Sequence, residues 1–263
     1  MLKKGALGTR YNLREYLAFL GASVLEDERS VFVGTGLPII AAMLAQKTHA
    51  PRLLILFEAG GMGPQLPELP ISVGESRTYY RGIAASSMHD VMSLSQAGYV
   101  DYGFLGAAQI DRYGNINTTV IGNHDLPTVR LPGSGGANDA GSFSQRLIII
   151  TSNQSKRTFV NRVDFLTTAG YLDGPGGREK AGLPRGSGPY RVITQLGVYG
   201  FDEATKRLKL VSLHPHASLD EIKENSGFDI IIPAKIERSP EPKEPDLRIL
   251  REEIDPAGIV LGK

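Results

Sequence analysis

The chain has 263 residues, 41% of them hydrophobic and 22% charged, which is ordinary for a globular protein and enough to bury a sizeable core. With 29 basic against 28 acidic residues the net charge is +1, so charge gives no ground for nucleic acid as a partner. Cysteine is absent, which excludes disulfides, thiolate metal sites and cysteine nucleophiles together and agrees with a cytoplasmic location.

The first ten residues hold two lysines but no long apolar run, so no signal peptide is expected, and no later run approaches the length of a membrane span. Asn12-Leu13-Arg14-Glu15 has the pattern of a helix start, and Tyr16, Leu17, Leu20, Val24 and Leu25 then recur at helical spacing through Glu26. Val31-Phe32-Val33 reads as a short buried strand, which Gly34-Thr35-Gly36-Leu37-Pro38 turns into an apolar helix over 39–47. Pro51 precedes a second apolar run, Leu53-Leu54-Ile55-Leu56-Phe57, which ends in Glu58 and then Ala59-Gly60-Gly61. Strand, turn, helix and strand in this order predict a parallel sheet with right-handed crossovers. The turn is no dinucleotide fingerprint, because Ile39 holds the place of its third glycine. Gly34 and Gly36 suit a turn that lets a ligand phosphate or carbonyl reach amides at the following helix.

An irregular, proline-rich stretch over 60–74 follows, then a helix over 89–97 and a strand over 100–106. Leu147-Ile148-Ile149-Ile150 is a buried strand, and 157–160 is a short extended piece. Segments 197–201 and 208–213 form an antiparallel pair, 219–225 a short helix, 230–232 a strand and 247–253 a closing helix. The charged, proline-rich segment 237–245 reads as a surface linker. There is no internal repeat, and 1–263 reads as one domain of α/β class. Its expected architecture is an open, mostly parallel sheet flanked by helices, with a small antiparallel segment toward the C-terminus.

Three features offer chemistry. Glu58 sits where a strand buried on both faces ends, and ligands of α/β sheets collect at the carboxyl ends of strands. The other reading is an acidic residue simply leaving the strand for solvent. The glycine turn over 34–38 is the second feature. The third is Gly133-Ser134-Gly135-Gly136-Ala137-Asn138-Asp139, whose amides are unscreened by side chains and suit an oxyanion hole, although such runs also serve as plain tight turns. His49, His89, His124, His214 and His216 show no metal-ligand spacing, so no metal is assigned. Neither a G-x-S-x-G elbow nor a Walker A motif is present.

The motifs Val33-Gly34-Thr35-Gly36-Leu37-Pro38, Glu58-Ala59-Gly60, Gly106-Ala107-Ala108-Gln109-Ile110-Asp111-Arg112-Tyr113-Gly114-Asn115, Gly133-Ser134-Gly135-Gly136-Ala137-Asn138, Asp173-Gly174-Pro175-Gly176-Gly177-Arg178-Glu179 and Arg251-Glu252-Glu253-Ile254-Asp255-Pro256 occur in this order. Together they resemble the β subunits of class I CoA-transferases of the glutaconate type. The resemblance implies a separate α subunit, an active site at the α–β boundary, and assembly as a heterotetramer or heterooctamer. It also implies coenzyme A as substrate rather than as a resident cofactor. Glu58 would be the nucleophile, carried through a glutamyl-CoA thioester, with Gly135, Gly136 and Ala137 in the oxyanion-hole loop that also binds CoA. One departure concerns Ala59, because glutaconate-type chains usually carry serine after the glutamate. It bears on the acid exchanged more than on the mechanism. An acyl-CoA hydrolase or decarboxylase on the same scaffold is the alternative, against which the retained glutamate and the lack of cysteine argue.

Overall fold

The computed structural model describes residues 10–262; the stretch 1–9, expected to carry no signal peptide, lies outside them. In chain order the first elements are α1 (Leu13–Ser23), β1 (Ser30–Val33), α2 (Leu37–Lys47), β2 (Leu54–Leu56), β3 (Gly61–Met62), β4 (Ala84–Ala85) and α3 (Met88–Gln96). Then come β5 (Tyr102–Gly106), β6 (Gln109–Ile110), β7 (Ile116–Asn117), β8 (Val120–Gly122), β9 (Pro127–Arg130), α4 (Ala137–Phe143) and β10 (Arg146–Ile150). The chain continues through α5 (Gly177–Lys180), β11 (Gly188–Ile193), β12 (Gly197–Phe201), β13 (Leu208–Leu213), α6 (Leu219–Glu224), β14 (Glu237–Arg238) and α7 (Glu244–Arg248). The described residues divide into two compact units. One runs up to Val91 and resumes at Pro240; the other spans Met92–Ser239.

The first unit is organised by β1 and β2, which pair in parallel with Val31 opposite Ile55 and Phe32 opposite Leu56. All four residues of β1 are buried, and three of them, Val31 to Val33, form the unbroken apolar run. In α2 every residue from Pro38 to Ala45 is buried, and the helix packs against α1 and against the closing turn Ile249–Ile254. The sequence places α1 well: Asn12 accepts from the Glu15 amide, and the Glu15 carboxylate accepts from the Asn12 amide. Glu15 is also paired with Arg251 at 2.6 Å, so the cap ties the start of the unit to its end. Replacing the cap, Asn12→Ala, is expected to cost about 1 kcal/mol, read as a lower urea midpoint at unchanged slope.

In the second unit β10 lies between β5 and β11 and runs parallel to both. From there β12 and β13 continue antiparallel, so the expected antiparallel segment toward the C-terminus is present. The α/β class stands. Three local readings are corrected. Segment 230–232 makes a single rung, Lys209 with Ile231, because the next donor position is taken by Pro233. Segment 157–160 likewise gives only the bridge between Ile110 and Phe159. The supposed linker contributes β14 and opens α7, where Pro245 sits in the first helical turn.

A buried polar cluster closes this unit. His214 is fully buried; its Nε2 lies 2.8 Å from the Thr194 carbonyl and its Nδ1 2.8 Å from the Ser239 hydroxyl. A carbonyl only accepts, so Nε2 donates and Nδ1 accepts from Ser239. Burial pushes the pKa of His214 down from 6.5 to about 4. Between those values the unfolded chain binds a proton that the folded chain refuses, so stability falls as pH drops through that window. The loss is at most about 3 kcal/mol. Urea titrations at pH about 7 and about 5 are expected to show a smaller drop in His214→Gln than in the unsubstituted protein.

Candidate active site

Glu58 leaves the sheet in a hairpin rather than in an irregular stretch. The Gly60 amide donates to the Phe57 carbonyl at 2.9 Å, and the Phe57 amide donates to the Gly61 carbonyl at 2.9 Å. Residues Glu58, Ala59 and Gly60 therefore form a three-residue connection between Phe57, just past β2, and Gly61, which opens the antiparallel β3. The last position demands glycine. Gly60 has φ +117°, and a Cβ there would lie 2.0 Å from the Ser86 carbonyl oxygen.

Two neighbours clasp this turn from the antiparallel β3–β4 side. The Tyr79 hydroxyl donates to the Ala59 carbonyl at 2.7 Å. The Ser86 amide and hydroxyl both donate to the Gly60 carbonyl, at 3.0 and 2.9 Å. Neither residue is legible in the sequence as part of the site, because two-residue strands joined through a long irregular segment leave no pattern there. The backbone on the C-terminal side of Glu58 is thus fixed, while its half-buried carboxylate has no hydrogen-bond or ion-pair partner among the described residues.

The glycine turn of residues 34–36 belongs to the same unit. Because β1 and β2 are parallel and in register, Gly34 and Glu58 follow the C-terminal ends of adjacent strands, which lie about 4.8 Å apart where they pair. Gly36 is the N-cap of α2 with φ +81°, and a Cβ there would meet nothing within 4 Å, so conformation rather than crowding calls for glycine. No side chain caps α2, and Pro38 in its first turn supplies no amide. The turn and the carboxylate therefore follow the C-terminal ends of two neighbouring parallel strands.

Gly133 to Ala137 lie in the other unit, just before and at the start of α4. Gly133 and Gly135 adopt φ +96° and +49°. The Gly133 amide donates to the Thr118 carbonyl at 2.8 Å, and the Thr118 hydroxyl donates to the Gly133 carbonyl at 2.9 Å. Of the three residues expected to supply donors, Ala137 already gives its amide to the Ser134 carbonyl at 3.0 Å. The Gly135 and Gly136 amides have no acceptor among the described residues.

The 106–115 motif serves the scaffold. The buried Asp111 carboxylate accepts from the amides of Tyr113 and Asn115 and from Asn115 Nδ2, while Asn115 Oδ1 accepts from the amides of Gly170 and Leu172. Burial pushes the Asp111 pKa up, and these donors pull it back. Among the described residues no group of three or more His, Asp or Glu side chains could hold a metal ion, and no helix is long and apolar enough to cross a membrane.

The chain is similar to known proteins along nearly its whole length. Residues 17–225 match the family described as Coenzyme A transferase. The B chain of glutaconate CoA-transferase from Acidaminococcus fermentans is 38% identical over 255 residues, covering 94% of each chain. The corresponding chain of 3-oxoadipate CoA-transferase from Pseudomonas knackmussii is 38% identical over 243 residues, covering 92% of each. The crystal structure of the Acidaminococcus glutaconate enzyme matches with a TM-score of 0.91 at 37% identity, over 97% of this chain and 99% of that one. A parallel β-α-β unit that ends in a glutamate with no partner among the described residues, followed by a separate glycine loop, thus sits in a chain that aligns with these relatives along nearly its whole length, and the chain belongs to the coenzyme A transferase family as a homologue of its class I β subunits.

Proposed function

We propose that this chain is the β subunit of an enzyme that moves CoA from an acyl-CoA to a carboxylic acid through a covalent thioester on Glu58. The observation that carries the reading is a carboxylate at a clasped hairpin tip with no structural partner among the described residues. A carboxylate attacks as the anion and needs no general base to become a nucleophile.

One Glu58 oxygen adds to the acyl-CoA carbonyl; the C–S bond breaks, giving a mixed anhydride and CoA thiolate. The thiolate adds to the Glu58 carbonyl carbon and the donor acid leaves as its carboxylate, so a glutamyl-CoA thioester remains. The incoming acid attacks that thioester, displaces the thiolate and forms a second anhydride. The thiolate then takes the acceptor acyl group and frees the Glu58 carboxylate. No net proton is consumed.

Each tetrahedral intermediate requires donors for its oxyanion. The amides of Gly135 and Gly136 fit that role, because a donor already spent inside the fold, as in Ala137, has less to offer. The glycine turn at Gly34 and Gly36 is assigned to ligand contact beside Glu58. A separate α-type chain completes the assembly, in line with relatives that are themselves named as one of two kinds of chain. The acid is a short or dicarboxylic one of the glutaconate or 3-oxoadipate kind, by analogy with the substrates in those names.

The test uses the purified complex of this chain with its α-type partner. Acyl-CoA followed by borohydride is expected to reduce Glu58 to an alcohol, located by peptide mass spectrometry. Release of free CoA without an acceptor acid, with no reduction at Glu58, would replace transfer by hydrolysis.

A further inference from the structure

Nothing in the chemistry above uses the most deeply buried charge of the second unit. Arg178 is 2% exposed, and no carboxylate pairs with it among the described residues. Its Nη1 donates to the carbonyls of Ala169 and Gly170 at 3.2 and 3.0 Å. Its Nη2 donates to the carbonyls of Gly141 and Ser142 at 3.2 and 2.8 Å and to the Ser187 hydroxyl at 2.9 Å. A guanidinium stays charged at any working pH, so burying it without a counter-ion is costly unless backbone dipoles replace the water. Here the replacements include carbonyls of the last turn of α4, the helix entered directly from the glycine loop.

The other end of the loop is also held. Thr118 and Gly133 exchange two hydrogen bonds, and the Thr118 amide donates to Thr167 Oγ1 at 2.9 Å. At the Arg178 anchor α4 is also packed closely, since a Cβ at Gly141 would lie 2.1 Å from Thr168 Cγ2. The segment between Gly133 and α4 is therefore fixed from both sides, and it contains the two amides without acceptors among the described residues, those of Gly135 and Gly136.

We infer that Thr118 and Arg178 are positioning residues: they touch no substrate, but they set where the Gly135 and Gly136 amides stand in the transition state. This rests on the oxyanion-loop reading proposed above. The Thr118 hydroxyl supplies the sharper probe, because valine keeps its shape and serine keeps its donor. A displaced donor lowers turnover without weakening ground-state binding, and a displacement near 1 Å costs roughly a hundredfold in rate.

The experiment measures steady-state kinetics and single-turnover formation of the Glu58–CoA adduct in the assembled complex. Thr118→Val is expected to lower kcat and the adduct rate by roughly ten- to a hundredfold, with KM for acyl-CoA within about twofold. Thr118→Ser is expected to restore most of the rate. Arg178→Lys is expected to show the same split between kcat and KM, to a smaller degree than Arg178→Met. Should the arginine variants not fold, which circular dichroism reports, the threonine pair decides alone. Equal rates in Thr118→Val and Thr118→Ser, or a loss confined to KM, overturn the inference. Failure of the unsubstituted complex to form any Glu58 adduct instead overturns the covalent reading, and this inference with it.

Discussion

Glu58→Ala is expected to abolish exchange of CoA between acids, with kcat lowered by about 10⁴-fold or more, the scale seen when a covalent nucleophile is removed. Stability is expected to move by no more than about 0.5 kcal/mol, because the carboxylate has no hydrogen-bond or ion-pair partner among the described residues to lose. That combination discriminates between readings. A glutamate held for structure would cost stability when removed, and a bystander at a strand end would cost neither stability nor rate. Glu58→Asp keeps the charge but withdraws it by one methylene, and a reacting atom misplaced by about 1 Å loses roughly a hundredfold. Partial activity in Glu58→Asp, none in Glu58→Ala, and unchanged urea midpoints in both would separate the nucleophile from a mere negative charge. Wild-type exchange by Glu58→Ala would sink the proposed mechanism.

The parts of the molecule that are legible in the sequence are those fixed by local physics. The run from Val31 to Glu58 announces itself because two largely buried strands are apolar from Val31 to Val33 and from Leu53 to Phe57, and the helix between them begins after a glycine turn. The cap at Asn12 is written into four consecutive residues. The antiparallel pairing of β12 with β13 follows from two alternating segments and a short turn between them. What escapes depends on contacts distant in sequence. Ser86 reaches the Glu58 hairpin only because β3 and β4 pair for two residues, too few to leave a period. The loss of Ala137 as a donor is set by a turn closing on Ser134, which looks the same in sequence as an open loop. The division at residue 91 leaves no compositional mark, whereas the one at 240 falls inside the charged, proline-rich stretch 237–245; that the two ends of the chain build one unit is set by contacts distant in sequence.

Gly60→Ala is expected to be the most damaging single methyl that can be added near the site. Two independent terms act on it. The backbone sits at φ +117°, a region that costs non-glycine residues about 1–3 kcal/mol, and the new Cβ would stand 2.0 Å from the Ser86 carbonyl oxygen. Together they predict a loss of roughly 2–4 kcal/mol in stability, or a shifted hairpin if the turn yields instead. In the second case turnover falls by roughly a hundredfold while the fold survives, because Glu58 lies two residues away in the same three-residue connection. Gly74→Ala is the matched control: its added Cβ comes no closer than 3.8 Å, to the Ala59 Cβ, so stability and rate are expected to hold. Retention of both stability and turnover in Gly60→Ala would show that the hairpin does not place the nucleophile. The obstacle is a backbone oxygen, so trimming the Ser86 side chain in the same variant is not expected to restore either quantity; only glycine leaves room for the carbonyl that holds the turn.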